Sequence, residues 1–485
     1  LNKTLKESAY FFNPSRISHI ICYTALGNFT SLDIIITLVL AVVLGVVVGV
    51  IPGLSSGVVC ALALPFVFTM DPLVALVLLS ALTAIVYTGG SISAILLGIP
   101  GVPASAATLI DGFAMTQKGE GGHAVGAALM SSMMGGVFAI ILALLIIPLV
   151  IPIVMEFKSP ELFLMVILGL CFVVALVRGS RVKGFISAGV GLLLAFIGVQ
   201  DMTGTTRFTL HTSYLYSGID LLVTMLGLFA LPVLITALVE NRTIAPPSSE
   251  ASGRFGDIFK GISTVFKNWF LWLRSTIIGF FVGIIPGIGS EAAIWTAYGQ
   301  AKQTSKHPEK FGTGSIEGVI APESANNAKE AGALLTTLAF GIPGSGIMAF
   351  FLAAFLIVGI QPGPKMLLEN TSICLTMLLA VCFANMLGGI LCILGAPYII
   401  KVTRVSPIYL FAIIIPILTI GAYASRMDAN DLILMFFIGV LGLCMKRFGY
   451  SMPALIIGFV LGDLAEYYFW HSIDMYGVIF FTSPI

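Results

Sequence analysis

Four Pro-Gly breaks set inside long apolar runs constrain this chain more than any other feature. Gly49-Val50-Ile51-Pro52-Gly53-Leu54-Ser55-Ser56-Gly57 closes one run, and Gly283-Ile284-Ile285-Pro286-Gly287-Ile288-Gly289-Ser290-Glu291 closes another. Each is followed by a second break, Gly98-Ile99-Pro100-Gly101 and Gly341-Ile342-Pro343-Gly344. Pro52 and Pro286 are 234 residues apart (286 minus 52), and Pro100 and Pro343 are 243 apart (343 minus 100). The flanks agree as well: Thr88-Gly89-Gly90 precedes the second break and Ala331-Gly332-Ala333 precedes the fourth. The pattern reads as an internal duplication.

Proline removes a backbone donor and clashes with the preceding helical turn, while glycine admits conformations that other residues avoid. In lipid, backbone groups freed this way must be met by protein, an ion, a ligand or cavity water. Broken segments at corresponding places in two halves of an apolar chain therefore point to a transporter's binding site. One isolated Pro-Gly would read as a kink or a surface turn. Four in two matched pairs argue against that.

Composition supplies the membrane. Of 485 residues, 58% are hydrophobic and 10% charged, against about 25% charged in soluble domains. A net charge of +1 gives no electrostatic basis for binding nucleic acid. The seven cysteines contain no C-x-x-C pair and the five histidines no metal-site spacing, so neither a disulfide framework nor a zinc site is expected. Gly53-Leu54-Ser55-Ser56-Gly57 matches a nucleophile elbow by letter only, without strand–turn–helix context. No Walker sequence occurs. The chain is not expected to be an enzyme, and no cofactor is expected beyond a coupling cation.

In chain order we expect an N-terminal segment (1–30), a first membrane repeat (31–240), a cytoplasmic linker (241–274) and a second membrane repeat (275–485). Nothing near the N-terminus reads as a cleavable signal peptide. Leu32–Ile51 matches the roughly 20 residues of a span. Leu73–Val86 and Ser91–Ile99 are short and read as half-helices or a re-entrant hairpin. Ala124–Met155 is a long span. Arg178, Arg181 and Lys183 share a loop with no acid, which marks it cytoplasmic. Lys446-Arg447 falls where a copy of that loop would lie, so charge alone leaves the second half's orientation open. The fold class is an all-α polytopic membrane protein. It has two duplicated repeats, an inverted relation being favoured, with re-entrant hairpins, broken helices and roughly 10–12 spans.

The candidate substrate site comprises Gly53, Ser55, Ser56, Gly101, Ser105, Gly344 and Ser345, all beside breaks. Hydroxyls and free N–H groups at half-helix starts suit a carboxylate; the plainer reading is serine bonding its own helix. Bulky replacement at Gly344 is expected to abolish transport and leave the fold. Pro322–Glu330 is a dense polar run before an apolar helix. Asn326 and Asn327, with carbonyls freed at Gly53, Gly287 and Gly289, are hard neutral ligands for a sodium ion. The plainer reading is a polar loop capping the helix at Ala331. Glu291 is an acid just past a tip and a candidate proton site, or a surface residue paired with Lys302. With no histidine at either tip, sodium is expected over protons.

Gly45–Gly57, Tyr87–Met115, Gly279–Gly289, Lys306–Ala333 and Gly341–Gly346, with Gln361–Pro364 and Leu461–Glu466, carry a resemblance. Across residues 31–470 the chain resembles the large membrane subunit of the tripartite tricarboxylate transporter family of bacteria and archaea. The resemblance implies a multi-pass secondary transporter of a prokaryotic cytoplasmic (inner) membrane. It implies import of a tricarboxylate or related organic acid by cation symport. Its implied partners are a small four-helix membrane subunit and an extracytoplasmic substrate-binding protein. An elevator-like movement follows only by analogy. Gly98 stands where the family often has Asn, and Glu291 where a small or neutral residue is usual. The alternative reading is a membrane-embedded enzyme or scaffold without a transported solute.

Overall fold

The computed structural model describes residues 21–51, 56–99, 101–176, 180–200, 203–240, 255–285, 290–399 and 407–477. These are almost entirely helical. The first half holds α1 (Leu32–Val50), α2 (Ser56–Val67), α3 (Pro72–Leu97), α4 (Ala106–Gln117), α5 (Gly121–Met155), α6 (Ser159–Leu176) and α7 (Arg181–Ala195). It closes with α8 (Leu221–Met225) and α9 (Leu231–Glu240), joined by a π-helical turn at Leu226–Ala230. After α10 (Phe255–Lys267) come α11 (Trp269–Ile284), α12 (Ser290–Thr304), α13 (Glu317–Phe340), α14 (Met348–Ile357) and α15 (Pro364–Glu369). The chain ends with α16 (Thr371–Ile399), α17 (Pro407–Arg426), α18 (Asn430–Phe448) and α19 (Met452–Tyr476). A short antiparallel ribbon pairs Gly198–Val199 with Thr206–Arg207.

Among the described residues, α1, α3, α5, α16 and α19 are long and apolar enough to cross a membrane, and shorter apolar helices accompany them. α1 shows why lipid is the solvent. It turns Ala41, Val42, Gly45 and Gly49 inward, and exposes Ile36, Leu40, Val43 and Leu44 on the opposite face. A helix apolar all round needs protein on one side and hydrocarbon on the other. The protein is a multi-pass membrane protein.

Helix ends follow local chemistry. Asp71 caps α3 by accepting a hydrogen bond from the Leu73 amide at 3.0 Å, with Pro72 in the first turn, where its missing N–H goes unneeded. α3 ends on Gly98 (φ 68°, ψ 20°) and α13 on Gly341 (φ 68°, ψ 19°), a left-handed cap that glycine enters without steric cost. α1 ends at Ile51 (φ −77°, ψ 110°) and α11 at Ile285 (φ −75°, ψ 115°). In both, the amide reaches back three residues, to Val48 and Val282. So each matched break begins from the same backbone conformation.

Three differences from expectation stand out. α3 is one helix of 26 residues, not two short pieces, and it runs straight through Thr88-Gly89-Gly90. Those glycines serve contact rather than breakage: a Cβ at Gly89 would lie 3.0 Å from the Val46 carbonyl and 3.1 Å from Gly49 Cα. The polar run Pro322–Glu330 is not a capping loop but lies inside α13, buried throughout. The later part of the expected linker is α10 and the start of α11. α10 lies against α5, with Gly261 meeting the His123 carbonyl and Gly126 the Ile258 carbonyl. Phe259 and Phe266 of α10 and Trp269 and Phe270 at the start of α11 stay exposed.

The centre is built from two helix pairs. α3 packs on α1 and α16, α13 packs on α11 and α5, and α5 faces α16. Small residues permit the close approach: Gly135 abuts the Ser324 backbone, and a Cβ at Gly136 would lie 2.6 Å from Asn385 Cγ. On one side of the molecule, Lys183 at the start of α7 donates to the Phe448 carbonyl at 2.6 Å, at the end of α18.

Candidate functional site

Where α3 and α13 cross, α4, α5 and α16 complete a ring of polar side chains inside an apolar protein. Glu323, in α13, is fully buried. Its Oε1 accepts from Thr108 Oγ1 of α4 at 2.5 Å and from Ser91 Oγ of α3 at 2.7 Å. Ser105, on the turn before α4, brings its hydroxyl to 3.4 Å from that of Ser91. Glu323 Oε2 has no hydrogen-bond partner. Asn326, one turn on, is fully buried and neither its amide oxygen nor its nitrogen is bonded.

Asn327, on the same face of α13, makes a different set of contacts. Its Nδ2 donates to Thr88 Oγ1 at 2.9 Å and to Asn385 Oδ1 of α16, and Thr88 lies 3.4 Å from the Ser132 hydroxyl of α5. Two residues further along, Lys329 Nζ sits 3.7 Å above the Tyr87 ring and donates to Glu330 Oε1 at 2.7 Å. This ion pair is neutral within itself and as deeply buried as its surroundings.

A separate carboxylate contrasts with Glu323. Asp111 Oδ1 accepts from the amides of Gly312, Gly314 and Ser315 at 2.8–2.9 Å, and Tyr298 donates its hydroxyl to Oδ2 at 2.8 Å. Fixed donors fill it. Asp111 therefore fastens the loop before α13 to α4 and holds no room for a ligand.

The expected site residues divide. Gly53, Ser55, Gly287 and Gly289 lie outside the described residues, and Glu291 lies in the first turn of α12 with its side chain undescribed. Ser56 is buried at the start of α2. Gly101 and Ser105 lie on the α3 side: the Gly101 amide donates to the Gly90 carbonyl at 3.4 Å, and a Cβ there would lie 2.6 Å from Gly90 Cα. Gly344 lies on the α13 side, its amide donating to Thr337 Oγ1 at 3.3 Å. Ser345 is buried with its hydroxyl unbonded. Gly90, which receives the first loop, adjoins the Ser91–Glu323 contact, and Ala333, which receives the second, lies four residues beyond Lys329 on α13. A Cβ at Gly344 would lie 2.6 Å from Ala333 Cα. Bulky replacement there displaces the loop and does not leave the fold untouched.

Sequence reasoning passed over Glu323, Ser91 and Asn385. For Glu323 a signal existed. Glu323, Asn326, Asn327 and Glu330 are spaced i, i+3, i+4, i+7, one face of a helix, once the run is read as helical. Asn385, alone in an apolar stretch, carried none.

Comparison with known proteins identifies the family. The family model described as "Tripartite tricarboxylate transporter TctA family" matches residues 35–457. An uncharacterized 52.8 kDa protein from the TAR-I ttuC' 3' region of Agrobacterium vitis is 32% identical over 441 residues, covering 88% of this chain and 84% of that relative. An uncharacterized protein from the TAR-II ttuC' 3' region of the same organism is 33% identical over 213 residues, covering 43% of this chain and 87% of that relative. No solved structure matches the chain at a significant level. With a family model spanning most of its length and a full-length relative above 30% identity, the chain belongs to the tripartite tricarboxylate transporter TctA family.

Proposed function

We propose that this chain is the large membrane subunit of a secondary carrier that imports an organic carboxylate, a tricarboxylate or related acid, together with sodium. It works in a prokaryotic cytoplasmic membrane with a small four-helix membrane subunit and an extracytoplasmic substrate-binding protein. The observation that carries this reading is the buried polar ring of Ser91, Thr108, Glu323 and Asn327 at the crossing of two helices that each end in a Pro-Gly break. Buried polar groups in a membrane interior are costly and mark solute pathways. Among the described residues the ring's hydroxyls bond a carboxylate and no histidine is hydrogen-bonded to them, and the family is a transporter family; both favour a carrier over the enzyme reading.

The architecture we propose is two inverted repeats, 31–240 and 275–485. The matched caps at Gly98 and Gly341, and at Ile51 and Ile285, support the duplication. The contact order supports the inversion. Ser91 meets Glu323, Thr88 meets Asn327 and Tyr87 meets Lys329, so one helix advances as the other retreats. Gly136 meets Asn385 and Gly389 meets Met133 in the same sense. Counterpart helices running antiparallel are what an axis in the membrane plane produces. The Lys183–Phe448 bond brings the start of α7 to the end of α18, which supports reading the basic residues near those two ends as neighbours. α18 as a whole, reversed, is then the counterpart of α7, and the basic residues share the cytoplasmic side.

Proteoliposomes holding the assembled system test the function, with labelled citrate and smaller dicarboxylates as probes. Uptake should follow an imposed sodium gradient at fixed pH. Asn326→Ala and Asn327→Ala should weaken the sodium dependence. Full uptake driven by a pH gradient without sodium, and stopped by Glu291→Gln, would replace sodium with a proton carried by Glu291.

A further inference from the structure

Glu323 differs from the other buried acids around it. Asp111 is filled by three amides and a phenol, all fixed donors. Glu330 has its own ammonium group, Lys329, at 2.7 Å. Glu323 has two hydroxyls on one oxygen, a second oxygen that meets no hydrogen-bond geometry, and the Asn326 carboxamide beside it. Its residue is 0% exposed, as is Asn326. Buried polar atoms are nearly always partnered, and Lys329, whose charge reaches Glu323, is itself ion-paired with Glu330, so Glu323 has no ion-pair partner of its own, a costly state for a buried carboxylate.

Hydroxyls can change roles, as amide donors cannot. Ser91 Oγ lies 2.7 Å from Glu323 Oε1 and also 3.2 Å from the Tyr87 carbonyl. Turning its hydrogen to Tyr87 frees its lone pairs toward Glu323. The oxygen set then comprises the Glu323 carboxylate, the Ser91 and Thr108 hydroxyls and the Asn326 amide oxygen. These are hard ligands, with no sulfur or imidazole among them. They carry one negative charge. Among the described residues no group of three or more His, Cys, Asp or Glu is clustered to hold a metal ion, so the charge matches a monovalent ion rather than a divalent one.

We propose that Glu323, Ser91, Thr108 and Asn326 bind one sodium ion, and that this ion is what admits an anionic substrate to the adjoining Gly101–Ser105 loop. Coupling follows from charge and position. Ser105 stands 3.4 Å from Ser91, so an anion on that loop is repelled by a bare Glu323 and tolerated once the carboxylate is neutralised. The ion also joins α3 and α4 of the first half to α13 of the second, which the described residues otherwise link here through the Ser91 and Thr108 hydrogen bonds to Glu323. This rests on the sodium-symport reading, and it assigns the ion's charge partner to Glu323.

The test is sodium binding by the purified full chain in detergent, without substrate or partners. Radioactive sodium is titrated at fixed pH and ionic strength, choline replacing sodium. One saturable sodium per chain is expected, with potassium competing at least tenfold less well. Glu323→Gln should weaken binding at least tenfold, and the isosteric Thr108→Val and the small change Ser91→Ala several-fold, with the protein still monodisperse. A folded Glu323→Gln variant with wild-type affinity overturns the site and leaves sodium symport standing. If Glu323→Gln does not fold, unchanged affinity in both Thr108→Val and Ser91→Ala overturns it equally. Absence of sodium binding by the unaltered chain, with uptake by the reconstituted system driven by a pH gradient alone, overturns the symport reading itself.

Discussion

Replacing Gly279 by Ala tests the contact that seats Ser324, Ala325 and Asn326. A Cβ at Gly279 would lie 2.6 Å from Ala325 Cα, 2.7 Å from its carbonyl oxygen and 2.9 Å from its Cβ. Ordinary contact begins at 3.4 Å, so α11 and α13 must part by about 0.8 Å (3.4 minus 2.6) at this point. No rotamer change relieves the clash, because every atom struck is main chain or Cβ. Overpacking a dense interior costs about 1–3 kcal/mol. Against this, alanine in a helix is favoured over glycine by about 1 kcal/mol. Gly299 in α12 separates the two effects, since a Cβ there meets nothing within 4 Å. Gly299→Ala carries the propensity gain alone, so Gly279→Ala should be less stable than Gly299→Ala by about 1–3 kcal/mol. Unfolding of the full chain in detergent, titrated with SDS and followed by tryptophan fluorescence, measures both. Equal stability, or a Gly279→Ala protein above Gly299→Ala, would refute backbone contact between α11 and α13 and with it the placement of Asn326.

Lys329→Met strands Glu330, and breaking a buried pair of this kind should cost about 3–5 kcal/mol; Lys329→Met with Glu330→Gln should recover most of it, and a double-mutant cycle without such coupling contradicts the pair. Gly98→Ala and Gly341→Ala, both at φ 68°, should each lose about 1–2 kcal/mol of stability in the same unfolding titration; no loss at either would mean the caps are not left-handed. Arg207→Gln removes two hydrogen bonds to Glu466, at 2.7 and 2.8 Å, that tie the ribbon to α19. The pair is partly exposed, so the loss should stay near 1 kcal/mol and shrink as salt rises. A loss that persists at about 1 M salt, where the Debye length is near 3 Å, would show that packing rather than charge holds the ribbon.

The sequence by itself determined the solvent and the punctuation. Apolar runs as long as Leu32–Ile51 admit few environments, and a Pro-Gly stops a helix through sterics within a turn or two, whatever surrounds it. That is why α1 and α11 end where the first and third breaks begin, and why the family was legible from short stretches. Glycine was less decisive. Gly98 and Gly341 take the left-handed conformation, whereas Gly89 stays helical because Gly49 needs the space, and nothing local separates these cases. Only tertiary structure decided that Pro322–Glu330 is a buried helix rather than a loop. Its own polarity argues for water, and burial became affordable only when α3, α4 and α16 brought hydroxyls and an amide to it. Those partners stand far away in sequence: Ser91 and Glu323 are 232 residues apart and Asn327 and Asn385 are 58 apart. Propensity and periodicity act over a few residues, so they describe each helix face; which faces meet, and hence which polar atoms are satisfied and which are left for an ion, is settled by packing across the whole chain.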